Sequence, residues 1–189
     1  MEVFTSPIAA VVHETRAVAI DRLMLEAARR LRERGVKLGG LVQHNVEKHG
    51  TDCAAMLLED LRSGKHVAIS LERSRRGSGC RLDAAGLAEA AALGGRGIAG
   101  GVDLAIISKF GAQEAAGKGL REELAQAVML ETPLLTSVSL RLLSAFEDFI
   151  GVSWTRLPPE LAAIEAWGLS AVAAREPALA SALDRAFGA

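Results

Sequence analysis

Four consecutive apolar residues, Leu104, Ala105, Ile106 and Ile107, constrain this chain more than any other feature. A strand with one wet face alternates apolar and polar residues, whereas an unbroken run marks a strand covered on both faces, as in a parallel sheet between helical layers. The text that follows, S-K-F-G-A-Q-E-A-A-G-K-G-L-R, is polar, glycine-rich and charged. Ligands of open α/β sheets sit beyond the carboxyl ends of the strands, so Ser108 to Gly119 is where a functional crevice is expected.

The other elements fit the same class. Ile8 to Val12 reads as a first strand, and Ile20, Leu23, Met24, Ala27, Ala28 and Leu31 form one apolar stripe of a helix that Gly35 stops. Leu38 to Gln43 is the next strand, completing a β-α-β unit, and His44 to Asp52 is polar and reads as a loop. Ala54 to Leu61 and His66 to Leu71 read as an antiparallel hairpin at a sheet edge, and Glu72 to Arg81 as a basic loop. Asp83 caps a helix from Ala84 that should end in the glycines between Gly94 and Gly101. Beyond the central strand come a helix through Leu120, Leu124, Ala127 and Val128, and a strand from Pro133 to Val138. A short helix from Ala145 to Ile150 and an edge strand from Val152 to Leu157 follow. One helix runs from Pro158 to about Ala174, and Pro177 should restart another. The expected fold is a three-layer α/β/α arrangement with a mostly parallel sheet and an antiparallel hairpin at its edge. No repeat or linker interrupts it, so 189 residues are expected to form one domain.

Composition narrows the function. A net charge of -1 offers no general attraction to nucleic acid or anionic lipid, so neither is an expected partner. Five phenylalanines, two tryptophans and no tyrosine leave little for stacking single-stranded bases. No run reaches the roughly 18 apolar residues of a membrane span, and the N-terminus lacks the pattern of a secretion signal. Two cysteines, Cys53 and Cys80, make no disulfide framework, and the expected location is cytoplasmic. His44, His49, Cys53 and Cys80 match no standard zinc spacing, and no metal site is expected from them.

G-G-L-V-Q (Gly39 to Gln43), G-C-R-L-D (Gly79 to Asp83) and the long D-L-A-I-I-S-K-F-G-A-Q-E-A-A-G-K-G-L-R motif carry a resemblance across roughly Ile8 to Val138. Together they resemble a bacterial domain-of-unknown-function family that is itself similar to THEP-type P-loop nucleoside triphosphatases. The resemblance implies a P-loop-like topology and an association with molybdenum uptake or cofactor metabolism. It brings no settled activity. A working P-loop places G-x-x-x-x-G-K-[ST] after the first strand, to cradle phosphate in backbone N–H groups and hold Mg²⁺ through a hydroxyl. That place reads H-E-T-R-A-V-A-I-D here. Where the THEP type resembles D-E-I-G-P-M-E after its central strand, Ser108 and Lys109 stand in place of the two carboxylates. Triphosphate hydrolysis is therefore not expected, although the fold can outlast it.

The remaining chemistry is cationic. Lys109, Lys118 and Arg121 surround the loop, and Arg121 opens a helix against its macrodipole, which calls for something negative nearby. An anion-binding site is expected from Ser108, Lys109, Gln113, Glu114, Lys118 and Arg121, with glycines letting backbone N–H groups approach the ligand. His13, Arg16, Arg76, Arg81 and Ser137 are candidates to extend the crevice. The expected ligand is a small anion or a nucleotide's phosphates, a cofactor is not specified, and a homo-oligomer is compatible with the sequence. Two alternatives stay open: a hydrolase or transferase built on Lys109, Glu114, Lys118 and Arg121, and an interaction module with a vestigial crevice.

Overall fold

The computed structural model describes residues 6–14, 17–46, 55–72 and 80–187. Among these described residues, nine strands and six α-helices follow in order. They are β1 (Ile8–His13), α1 (Ala17–Glu33), β2 (Leu38–Val46), β3 (Ala55–Asp60), β4 (His66–Ala68), β5 (Ser70–Glu72), β6 (Cys80–Leu82) and α2 (Ala84–Ala99). Then come β7 (Leu104–Phe110), α3 (Ala112–Ala115), α4 (Arg121–Met129), β8 (Leu134–Ser139), α5 (Leu143–Ile150), β9 (Thr155–Leu157) and α6 (Leu161–Phe187).

Seven strands form one sheet in the order β4-β3-β2-β7-β8-β1-β9. The five from β2 to β9 in that order pair in parallel, while β3 and β4 add to the β2 edge antiparallel. The architecture is thus mixed α/β with a mostly parallel sheet, consistent with a P-loop-like fold. Alternation along the buried strands divides the core in two. Ala105 and Ile107 face one cluster with Ala90 and Ile98 of α2, Leu124 of α4 and Phe146 of α5. Leu104 and Ile106 face the other, with Met24 and Leu31 of α1 and Ile164 and Trp167 of α6. All four strand residues are fully buried, as the unbroken apolar run requires.

The expected helix stripe is real: Ile20, Met24, Ala27, Ala28 and Leu31 are buried and Leu23 packs at their margin. Gly35 ends α1 at φ +86, and Asp83 caps α2 by accepting from the Ala85 N–H at 3.1 Å. Gly40 has a different task. It lies inside β2 at φ +97, and a Cβ there would stand 2.3 Å from the Ile106 carbonyl oxygen, so only glycine permits this approach of β2 to β7.

Several boundaries differ from the sequence reading. The central strand runs on through Ser108, Lys109 and Phe110, with its register to β8 shifting between Ile107 and Phe110. His44, Asn45 and Val46 extend β2 rather than opening a loop. The expected strand from His66 to Leu71 is two short strands, and β5 pairs with β6 as a separate ribbon. Strands of three residues are too short to show a period. Helix α2 does end where expected, at Ala99 with Gly100 as its cap, and it runs through Gly94, Gly95 and Gly97 on the way because it lies against the sheet: a Cβ at Gly94 would meet Leu41 Cγ at 2.7 Å. Close packing overrides low helix propensity there. Helix α6 likewise continues through Pro177, which forgoes the bond its missing N–H would donate to the Ala173 carbonyl. Among the described residues, no helix is long and apolar enough to cross a membrane.

Candidate functional site

The carboxyl ends of β1, β7 and β8 lie side by side, and the segment after β7 leads from them through the short α3 into α4. Two local structures divide the expected cluster. The first is the turn from Gly111 to Arg121. Glu114 is buried, and both of its carboxylate oxygens are taken by backbone donors: Oε2 accepts from the Gly111 N–H at 2.9 Å and Oε1 from the Leu120 N–H at 2.8 Å. One carboxylate thereby ties the start of α3 to the entry of α4, which satisfies N–H groups that helix starts leave open. Gly119 makes room for it. At φ +66, a Cβ on Gly119 would fall 2.2 Å from Glu114 Oε1.

Arg121 completes this turn. Its Nη1 donates to the Glu114 carbonyl at 3.0 Å, and its guanidinium carbon lies 4.2 Å from the centre of the Phe149 ring. Phe149 in turn stacks on Phe110, with ring centres 5.5 Å apart. The negative neighbours that Arg121 requires at a helix start are thus a carbonyl, an aromatic face, and Glu122 and Glu123 in the same turn. Glu123 is half-buried, and desolvation, followed by the charges of Glu122 and Glu114, pushes its carboxyl above the ordinary range. Gln113 and Lys118 are exposed, and their main chains close the turn through the Lys118 N–H to the Gln113 carbonyl at 2.9 Å. Lys118 makes no ion pair among the described residues.

The second structure is the strand end itself. Lys109 reaches toward α1, where its Nζ lies 3.5 Å from both carboxylate oxygens of Asp21. Asp21 is 1% exposed and also accepts from Asn45 Nδ2 at 2.8 Å, while Gln43 Nε2 donates to Asn45 Oδ1 at 2.8 Å. Sequence reasoning missed Asp21, Asn45 and Gln43 as members of this site. Asp21 sits among the charges of a helix and looks like one more solvated residue, so no local signal marks it. Lys109 keeps 36% of its side chain exposed, and an ammonium has three donors, so the long contacts to Asp21 leave it able to bond elsewhere.

The other candidates are distributed as follows. Ser108 and Ser137 are buried, and Ser137 Oγ donates to the Ser108 carbonyl at 2.6 Å, within the stretch where the β7–β8 register shifts. The side chain there joins strands whose ladder is locally irregular. His13 closes β1 opposite Ser139 and is 9% exposed. Arg81 is exposed on the β5–β6 ribbon, which follows β4, and β4 is separated from β7 by two strands. That ribbon is a separate two-stranded sheet, not part of the seven-stranded sheet that carries Lys109. Arg16 and Arg76 lie outside the described residues, as do His49 and Cys53.

Comparisons with known proteins place the chain in a lineage. It is 41% identical over 149 residues to the molybdenum import ATP-binding protein ModC 2 of Bradyrhizobium diazoefficiens. The aligned part covers 78% of this chain and 16% of that protein, so the chain spans about a sixth of its relative's length. No solved structure matches. Residues 8–167, which hold the whole seven-stranded sheet, match the family described as protein of unknown function (DUF2478), and the chain belongs to that family.

Proposed function

We propose that this chain is a P-loop-like domain of nucleotide-binding ancestry whose crevice binds a small oxyanion, or the phosphates of a nucleotide, without hydrolysing a triphosphate. In this reading it has an accessory or regulatory part in molybdenum uptake or cofactor metabolism. The observation that carries the reading is Lys109: an ammonium with free donors at the carboxyl end of the central strand, held only loosely at 3.5 Å by Asp21. Lys118, exposed in the adjoining turn, supplies a second cation. Support for the absence of hydrolysis is the text from the end of β1 into α1, H-E-T-R-A-V-A-I-D, which lacks the lysine and the spaced hydroxyl that a phosphate and Mg²⁺ require. The similarity to a molybdenum import ATP-binding protein supports both the ancestry and the choice of molybdate among the anions to test.

Titration calorimetry with molybdate, tungstate, phosphate, sulfate, ADP and ATP is the test. At least one is expected to bind, while phosphate release from ATP with Mg²⁺ stays far below the roughly 1 per second of ordinary enzymes. Rapid turnover would contradict the non-hydrolytic assignment. The alternative of an interaction module is favoured by one observation, that Glu114 already occupies the Gly111 and Leu120 N–H groups. Failure of every anion to bind would select that alternative.

A further inference from the structure

We propose that His44, Glu59 and His66 form a site for a first-row divalent cation of the zinc class, separate from the Lys109 crevice. The three come from three neighbouring strands, β2, β3 and β4, at the antiparallel edge of the sheet. Glu59 pairs directly with His66 across β3 and β4, and with Val42 across β2 and β3. His44 lies two residues along β2 from Val42 and so on the same face. The register therefore gathers two imidazoles and one carboxylate on a single face, and the donor atoms of all three lie within 4.8 Å of one another.

The distances suit a small cation. Glu59 Oε2 lies 2.8 Å from His44 Nε2 and 3.9 Å from His66 Nε2. A tetrahedral ion with bonds near 2.1 Å holds its donors about 3.4 Å apart, so the two Glu59–histidine separations change by roughly half an ångström each and the two imidazole donors, within 4.8 Å, draw together by roughly 1.4 Å at most. His66, with 45% of its side chain exposed, is free to make its part of that movement. Two imidazoles and a carboxylate are the donor set of a three-ligand site whose fourth position takes water.

The surrounding hydrogen bonds orient these donors. His66 Nδ1 lies 3.1 Å from the Gly64 carbonyl, to which only a protonated nitrogen can donate. In the neutral ring this leaves the Nε2 lone pair turned toward the Glu59 carboxylate, an arrangement that a cation between them would resolve. A ligating histidine bonded to a carbonyl through its other nitrogen is the usual outer support of a metal site. Glu59 is buried, and its second oxygen, Oε1, faces Arg32 of α1 at 3.5 Å, while Arg32 is itself anchored to the Leu61 carbonyl at 2.8 Å. That leaves Oε2 for the ion. On binding, the one ring proton of a neutral His44 passes to Nδ1 by way of solvent and Nε2 turns its lone pair to the ion, which takes the place of the His44–Glu59 hydrogen bond.

The test uses the full chain, free of any affinity tag and stripped of metal, titrated with Zn²⁺ by calorimetry and with Co²⁺ by visible absorption. One equivalent of Zn²⁺ is expected to bind per chain, and Co²⁺ should give the ligand-field bands of a site holding imidazole nitrogen. His66→Ala should weaken Zn²⁺ binding by a hundredfold or more and abolish the Co²⁺ bands, with circular dichroism and melting unchanged because His66 is exposed. His44→Ala should do the same to binding. Should that variant misfold, His66→Ala and His66→Gln still decide the matter. Absence of Zn²⁺ binding up to high micromolar concentration, or equal affinity in the wild type and His66→Ala, would overturn the proposal.

Discussion

Lys109 and the turn that begins at Gly111 are two residues apart, yet their charges are settled in opposite ways. In the turn, Glu114 uses both oxygens at 2.8 and 2.9 Å and Arg121 has a carbonyl at 3.0 Å and an aromatic face, while Lys118 stays exposed. At the strand end, Lys109 faces a buried carboxylate at 3.5 Å and keeps a third of its side chain in solvent. A cluster that is uniformly cationic in sequence is therefore a turn sealed around Glu114 and Arg121, with Lys109 and Lys118 left open. Charge alone does not identify a binding residue; the residue must also have bonding capacity left.

The largest effect should come from breaking what both halves share. Ile106→Asp puts a carboxylate into a fully buried strand position between Met24, Leu31 and their neighbours. An unpaired buried charge costs several kcal/mol against a total stability of roughly 5 to 15, so the variant should be unfolded or insoluble, as circular dichroism would show.

Next in size is Glu114→Ala, which leaves two N–H groups without their acceptor. At about 1 to 3 kcal/mol for each, a loss of about 2 to 6 kcal/mol is expected in denaturant unfolding. Glu114→Gln keeps one acceptor oxygen and should lose about half as much. If both variants are as stable as the wild type, the turn is not sealed and the comparison fails.

These two variants also show which parts could be read from sequence. Ile106 was legible because four apolar residues in a row have few other interpretations. The role of Glu114 was not, although Gly111 and Glu114 have the spacing of a reciprocal helix-start bond. Glycine has no side chain to mark the pattern, and a glutamate among lysines looks like an ion-pair partner. The extension of β7 through Ser108 and Lys109 was hidden by their polarity, since the shift of register from Ile107 to Phe110 breaks the alternation that a strand would display. The His44, Glu59 and His66 cluster depends on two antiparallel registers at once, and residues 15 and 22 positions apart along the chain from His44 carry no local sign of meeting.

Arg121→Ala should have a smaller effect. It loses a hydrogen bond and a cation–π contact, together about 1 to 3 kcal/mol, but also removes a cation from a helix start, which returns about 0.3 to 1. A net loss of about 1 to 2 kcal/mol in unfolding experiments is expected, with little effect on ligand binding.

The smallest expected change is a gain. Glu123 has a carboxyl raised by burial, so the folded state holds its proton more tightly than the unfolded chain does. Its charge costs stability progressively as pH rises from the ordinary carboxylate value through the raised one, and costs nothing below both. Glu123→Gln should therefore melt slightly higher than the wild type near neutral pH, with the difference vanishing at about pH 4 or lower. A wild type that is the more stable of the two at neutral pH would contradict the assigned direction.

The most direct measurement of the central claim is the affinity of the tightest-binding oxyanion for Lys109→Ala and Arg121→Ala side by side. A charge-assisted hydrogen bond is worth roughly 1.5 to 3 kcal/mol, so Lys109→Ala should weaken binding by about tenfold or more while Arg121→Ala changes it little. Equal affinity for the wild type and Lys109→Ala, or a loss confined to Arg121→Ala, would contradict the account.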